Sequence, residues 1–341
     1  MLITPQYTTG TVPGFAGGPG TGLLETLVDW CTSNSGTAGL DWTIELDQAA
    51  KDDDGVTTSY SDTYREVILS NTGMSGQENI LIGMREYFYV ATNKYGWNLN
   101  GYVVLPSTWN GAAPATHGLT GWDSTVKAWS QLPTIQLFNN EMAYWFYSTS
   151  EFIFVSVRVG TSYFQCYLGN GARYGSPQEY PYPLVVAGSH RGTESYQNGG
   201  YGPVRPSSDN DECSVMVVDP SGSFRRFYTS DDDAEVAILP MVGNSYTDTV
   251  GLSPGGSALI MPAIAVTDSY TTCLEYFNVG VFRRFNAQSE QIYVDEEANK
   301  WRCFAQGKND YEYDFLAVFE EGNYSTTTTT TSSTSSTTTT T

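Results

Sequence analysis

The sequence predicts a mainly β protein, with an antiparallel β-sandwich or barrel-like fold, one N-terminal helix and long loops. Segments rich in Val, Ile, Tyr, Phe and Thr recur along most of the 341 residues, and clusters of Gly, Pro, Asn and Asp separate them. Only one segment has the apolar spacing of a helix. Because the turn signals are closely spaced, antiparallel connections are favoured over long parallel crossovers.

The first element after the N-terminal region is the helix, in the segment LLETLVDWCTSN. Its apolar residues follow the i, i+3, i+4, i+7, i+8 spacing of one helix face: Leu23, Leu24, Leu27, Val28 and Cys31. Thr21 or Gly22 can cap its start. We therefore expect a short amphipathic helix that packs one face on a sheet.

One β-hairpin can be predicted residue by residue. The strands Phe152–Val159 and Ser162–Leu168 flank the pair Gly160-Thr161, and a two-residue loop with Gly first suits a type II′ turn. This turn places Val159 opposite Ser162 and makes one face of the hairpin wholly apolar. The other face is mixed, so we expect a charge to be tolerated there, for example at Ser156.

Further strands are expected from composition. The segments are 42–46, 65–70, 85–92 and 257–266, followed by a C-terminal meander of 291–294, 301–305 and 311–319.

The two ends of the chain differ from the region between them. Residues 1–21 are rich in Gly and Pro and are expected to form an irregular arm that contacts another chain. Residues 325–341 are all Ser or Thr, which predicts a flexible tail. A glycosylated stalk and a strand added to a sheet edge are the alternatives for this tail. The remaining region, 22–324, is expected to fold as one large or two intimately packed β domains.

Charge and composition argue against several classes of partner. The net charge of −21 repels phosphate, so nucleic acid is not expected to bind. No apolar run approaches the roughly 18–20 residues that span a bilayer, so membrane insertion is not expected.

The N-terminus lacks the basic and apolar regions of a secretory signal. The five cysteines are expected to be buried apolar residues rather than disulfides or metal ligands: Cys31, Cys166, Cys213, Cys273 and Cys303.

The sequence contains little that predicts catalysis. Its two histidines, His117 and His190, lie in Gly, Ser and Thr-rich loops, and no nucleotide, zinc-protease or nucleophile-elbow motif is present. The acidic runs 52–54, 209–212 and 231–233 are interpreted as solvated loops, with a calcium site as the alternative. We expect no catalytic residues, cofactor or metal. A pair of carboxylates suited to glycoside hydrolysis is left open.

Four tyrosines are candidate contacts for a partner protein or a glycan. Tyr180 and Tyr182 lie in the string EYPYPL, whose prolines cannot donate to a sheet ladder, so this string is either an outward-facing segment or a rigid connection between sheets. Tyr196 and Tyr201 lie in the loop SYQNGGYGPVRP, whose glycines allow close approach of a ligand.

The stretch 142–189 resembles a segment shared by virion structural proteins of tailed bacteriophages. The matching motifs are YWF at 144–146, YLG at 167–169, and EYPYPL at 179–184 with Gly188-Ser189. Weaker similarity extends to residues 26–30, 41–44 and 313–319. This chain departs from the pattern at Ser150-Glu151, where the family often has two arginines, and in the polar turn at 170–173.

The resemblance implies a non-enzymatic component of the tail, baseplate or head-tail region of a phage particle. Such a protein would be made in the cytoplasm of a bacterial host, be present in several copies, and contact other virion proteins and copies of itself. A receptor- or glycan-binding protein of the tail tip, with a host-surface glycan as its ligand, is the first alternative. A glycan hydrolase is the second.

Overall fold

A computed structural model describes most of the predicted strand regions and the helix. The described residues are 2–13, 22–32, 42–50, 64–89, 94–102, 133–138, 140–173, 179–188, 203, 215–222, 224–226, 236–239, 260–267, 273–283, 288–305 and 314–322.

Among these residues there are one helix and eighteen strands, all paired antiparallel. The helix is α1 (Leu23–Thr32), and the strands are β1 (Gln6–Val12), β2 (Thr43–Ala50), β3 (Tyr64–Asn71), β4 (Ile80–Tyr89), β5 (Lys94–Tyr102), β6 (Thr134–Phe138), β7 (Met142–Ser148), β8 (Phe152–Val159), β9 (Ser162–Arg173), β10 (Leu184–Ala187), β11 (Val215–Val218), β12 (Phe224–Arg226), β13 (Val236–Leu239), β14 (Ile260–Thr267), β15 (Cys273–Arg283), β16 (Ile292–Val294), β17 (Lys300–Ala305) and β18 (Asp314–Glu321).

The strands form two sheets. In one, the order is β2-β3-β4-β5-β6; in the other, a curled half-barrel, the main path is β1-β7-β8-β9-β15-β18-β17-β16. Strands β10, β11 and β12 branch from β9, and β13 and β14 branch from β15. The mainly β, antiparallel fold class with one N-terminal helix is therefore confirmed.

The helix forms over the predicted residues and buries the predicted face. Leu23, Leu24, Leu27, Val28 and Cys31 are all buried. The Thr26 backbone N–H and hydroxyl both donate to the Gly22 carbonyl at 3.1 Å. The centre of the Trp30 indole ring lies 5.9 Å from the centre of the Phe146 phenyl ring in β7, so the helix packs on the curled sheet.

The predicted hairpin is confirmed in its register. Val159 pairs with Ser162 and Val155 with Cys166. Gly160 has a φ of 61° whereas Thr161 is not among the residues with positive φ, which fits a type II′ turn.

The hairpin is buried on both faces, and this corrects our expectation for Ser156. Alternate residues of β7, β8 and β9 enter two different cores. The first core lies between these strands, α1 and the five-stranded sheet; it includes Val155 and Cys166. The second lies between the same strands and β15, β17 and β18. Ser156 lies on this second face with 0% exposure, so the mixed face is shielded from solvent at this position. We call β7, β8 and β9 the middle layer.

Part of the N-terminal arm is regular, which corrects the expectation of an irregular segment. Residues 6–12 form β1, which pairs with β7 from Gln6–Ser148 to Val12–Met142. The arm also contacts β15, because the Ile3 N–H donates to the Asn278 side-chain oxygen at 2.7 Å. The β-branched Thr residues of QYTTGTV favour a strand, whereas our interpretation relied on the neighbouring glycines and prolines.

The other predicted strands are found with shifted ends. β4 begins at Ile80, five residues before the predicted start, and the C-terminal meander forms as β16, β17 and β18 in adjacent positions. Of the cysteines, Cys31, Cys166 and Cys303 are buried and Cys273 is half-buried, and none of these four forms a disulfide. Cys213 lies outside the described residues.

Several sequence predictions concern residues outside those described. These are His117, His190, the three acidic runs and the Ser/Thr tail. Within the described ranges, no group of three or more His, Cys, Asp or Glu side chains is arranged to hold a metal ion. In the same part of the chain, no helix has the length and apolar character of a membrane span.

Candidate functional site

Two carboxyl groups meet where the β3–β4 turn, the β7–β8 turn and strand β9 converge. The Asn170 amide donates to both of them, to Glu78 Oε2 and, at 3.0 Å, to Glu151 Oε2. The Met74 N–H donates to Glu151 Oε1 at 2.6 Å, and Arg173 Nη2 lies 3.3 Å from Glu78 Oε1. Each of the four carboxyl oxygens therefore has a donor within the protein. We call this group the carboxyl pair.

Local backbone geometry positions Glu151. The Thr149 hydroxyl accepts hydrogen bonds from the Glu151 and Phe152 N–H groups at 3.0 and 3.3 Å, which closes the β7–β8 turn. Gly169 has a φ of 141°, and a Cβ there would overlap the Glu151 carbonyl oxygen. Glycine at position 169 thus allows β9 to approach the turn closely enough for Asn170 to reach the carboxyl pair.

Burial and charge raise the pKa of the Glu78 carboxyl. Burial is the largest cause, followed by the nearby charge of Glu151, and a hydrogen bond between the two carboxyls acts in the same direction. Arg173 lowers this pKa but does not cancel the increase. Two carboxyls in such contact favour a state in which one proton is held between them.

The geometry of the carboxyl pair suits a structural role better than glycoside hydrolysis. Glycosidases hold their two carboxyls about 5–10 Å apart, with room for a sugar or a water between them. Here one amide group bridges both carboxyls, and Glu151 is 3% exposed. The pair joins three chain segments that belong to both sheets, so its hydrogen bonds hold the sheets together.

A second buried polar group links the middle layer to the outer strands. The Tyr147 hydroxyl donates to Glu320 Oε1 at 2.7 Å, and the Arg302 guanidinium bonds both oxygens of the same carboxylate. Burial, and then the charge of Glu320, raise the pKa of Tyr147 well above its usual value. Tyr147 thus remains a neutral donor, and the carboxylate of Glu320 is neutralised by Arg302 inside the protein.

A more exposed group extends this link to the hairpin. Glu290, whose φ is 69°, accepts from the Tyr163 hydroxyl at 2.7 Å and from Arg158. The Arg158 guanidinium also lies 5.7 Å from the centre of the Trp145 ring, a cation–π arrangement. These contacts connect the turn before β16 to β7, β8 and β9.

Tyr180, a candidate contact residue, is internal. It is 4% exposed, its ring belongs to the second core, and its hydroxyl donates to the Val218 carbonyl. Tyr180 is therefore not available to a partner or a glycan, which corrects that part of our interpretation of EYPYPL.

Tyr182 occupies the opposite side of the same string. It is half-buried and packs against the first core. Tyr180 and Tyr182 thus contact different cores. Tyr196 and Tyr201 lie outside the described residues.

The sequence did not single out Glu78, Glu151 or Glu320. Glu151 was part of a departure from the phage pattern, and a lone acid between two apolar strands is a weak signal for a buried carboxylate. Glu78 and Glu320 gave no such signal, because their partners lie 95 and 173 residues away in Arg173 and Tyr147.

Comparison with known proteins adds no assignment: no protein-family model matches the chain, and no curated protein matches it significantly.

Proposed function

We propose that this protein is a non-enzymatic structural subunit of a tailed phage particle, present in several copies in the tail, baseplate or head-tail region. The proposal begins from the resemblance of residues 142–189 to virion structural proteins. One structural observation supports it most: the described part of this stretch forms β7, β8, β9 and β10, which contribute to both main cores. A segment that related proteins share because it builds the framework of the fold is expected to contribute to the cores.

The buried polar groups support the same role. The carboxyl pair and the Tyr147–Glu320–Arg302 group have their polar atoms bonded to protein groups from distant segments. Such groups favour one specific arrangement of layers, because each partner must be in place to compensate the burial of charge. A subunit that must fit its neighbours in a particle benefits from a fixed shape.

The number of copies per particle tests this proposal. Particles would be purified from a lysate of the producing host on a density gradient and washed in high salt, and the chain would be quantified against a labelled standard. We expect a constant number of several copies per particle. Absence from the particles, or a variable trace, would overturn the proposal.

Two further assays of the free protein separate the alternatives. Saturable binding to host cells by the isolated chain would favour a recognition protein. Release of reducing sugar from host glycans, lost in Glu78→Gln or Glu151→Gln, would favour a hydrolase. The structural proposal predicts neither activity.

A further inference from the structure

Strand β1 forms one edge of the curled sheet. It pairs with β7 on one side, and within the described part of the chain no strand pairs with its other side. Its seven residues, QYTTGTV, contain no charge and no proline. Proteins usually protect open edges with lysines, prolines, bulges or very short strands. None of these four protections is present within the seven residues of β1, and Pro5 and Pro13 lie directly outside it.

The opposite edge of the same sheet shows the contrast. β16 has three residues and is followed directly by Asp295, Glu296 and Glu297. Short length and adjacent negative charge both discourage a further strand from pairing there. Of the two strands that end the main path of the described sheet, β1 is therefore better suited than β16 to accept another strand.

The end of β18 lies near the start of β1. The Tyr7 ring stacks on Tyr147 at 5.7 Å, and the Tyr147 hydroxyl donates to Glu320 at the end of β18. The next residue, Glu321, accepts a hydrogen bond from Lys300 at 2.7 Å. The hydrogen bond to Glu321 and the charge of Glu321 are the main causes that raise the pKa of Lys300, and Tyr7 acts in the same direction. The chain therefore leaves β18 beside the first residues of β1.

We propose that the Ser/Thr segment 325–341 pairs with the open edge of β1 in its own copy and extends the curled sheet by one strand. Residues 322–324 provide the turn between β18 and this segment. At about 3.3 Å per residue, the 17 residues from 325 to 341 reach about 56 Å, and β1 needs about 23 Å. The segment is therefore long enough to run from the end of β18 along the whole of β1.

Strand propensity and charge favour residues 325–341 over other occupants of the β1 edge. Thr has a high strand propensity, and Thr–Thr pairs across strands are favourable; the exposed side chains of Thr9 and Thr11 offer such pairs. A second copy would bring another net charge of −21, whereas the Ser/Thr segment carries no charge. Attachment to the same chain also gives it an effective concentration in the millimolar range.

The consequence would be a covered edge in the free protein. Without the segment, β1 of one copy can pair with a strand of another chain, and Tyr7, which is 49% exposed, would lie beside that junction. This inference goes beyond the proposed function and does not depend on it, since it concerns the isolated chain.

Amide hydrogen exchange tests the inference on the purified full chain and on a chain ending at Tyr324. We expect the outward-facing amides of residues 6–12 to exchange at least about fivefold faster in the shortened chain, because an open edge is no longer hydrogen-bonded. Amides of residues 292–294 in β16 serve as the internal control and should be unchanged.

A matched variant separates pairing from simple presence of a tail. Residues 325–341 would be replaced by a Gly-Ser sequence of the same length, which is uncharged but has low strand propensity. We expect exchange in β1 to match that of the shortened chain. Equal exchange in all three proteins would overturn the proposal. So would protection of β1 that increases with protein concentration, because the segment would then come from another copy.

Discussion

The two faces of the middle layer are buried by different means. The face toward α1 and the five-stranded sheet is largely aliphatic where β8 and β9 meet, with Val155, Val157 and Cys166 among its residues. The face toward β15, β17 and β18 is largely aromatic and also buries Ser156 and Gln165 at 0% exposure. Apolar residues need only be excluded from water, whereas polar ones also need hydrogen-bond partners in fixed positions. The second face therefore removes polar side chains as well as aromatic rings from water.

The largest effect is expected from a charge on the aliphatic face. Val155→Asp would bury a carboxylate among apolar side chains, which we expect to cost more than about 4 kcal/mol and to prevent folding. Expression in soluble form and thermal unfolding measure this. Ile292→Asp, at a residue that is 46% exposed on β16, is the control and should stay soluble. A soluble, stable Val155→Asp protein would mean that this face is not a core.

A charge on the aromatic face tests whether that face is also covered and shielded from solvent. Ser156→Asp is expected to destabilise the protein by about 3 kcal/mol, because it would place a carboxylate at a position that is 0% exposed. Ser156→Ala should be neutral or slightly stabilising, since the Ser156 hydroxyl has no hydrogen-bond partner among the described residues. Denaturant unfolding of both variants decides this. If Ser156→Asp is as stable as Ser156→Ala, the outer strands do not cover the hairpin.

The hydrogen bond between Tyr147 and Glu320 tests the polar contacts of the aromatic face. Tyr147→Phe keeps the ring and removes the donor, so we expect a loss of about 1–3 kcal/mol. A double-mutant cycle with Glu320→Gln isolates the pair energy from other effects. Additive losses in that cycle would show that the two groups do not interact in solution.

The smallest effect concerns pH and the carboxyl pair. Because the pKa of Glu78 is raised above its ordinary 4.5, the folded protein holds this proton more tightly than the unfolded chain does. The associated stability is present below pH 4.5 and is lost as the pH rises through the folded-state pKa. Glu78→Gln should flatten this loss in a plot of unfolding free energy against pH. Glu321→Gln, at an exposed ion pair, is the control and should leave the slope between pH 4.5 and 7 unchanged.

The sequence was enough to predict those elements whose signals lie within a short stretch of the chain. The helix face repeats within ten residues, and the hairpin register follows from one two-residue turn, so both were predicted correctly. β1 was missed because glycines and prolines on both sides concealed a short run of strand-forming residues. The carboxyl pair was missed because its groups come from three separate segments, and only folding brings Glu78, Glu151 and Arg173 together.

The sequence by itself determined the mainly β class, the single helix and which residues of the hairpin are apolar, because these depend on side-chain periodicity along a short stretch of chain. It also restricted the chemistry, through a net charge of −21 and two histidines. Only the tertiary structure decided that the mixed face of the hairpin is a second core and that Tyr180 points inward. A strand's side chains alternate between two faces, but what covers the mixed face of the hairpin is set by β15, β17 and β18, which lie more than a hundred residues away.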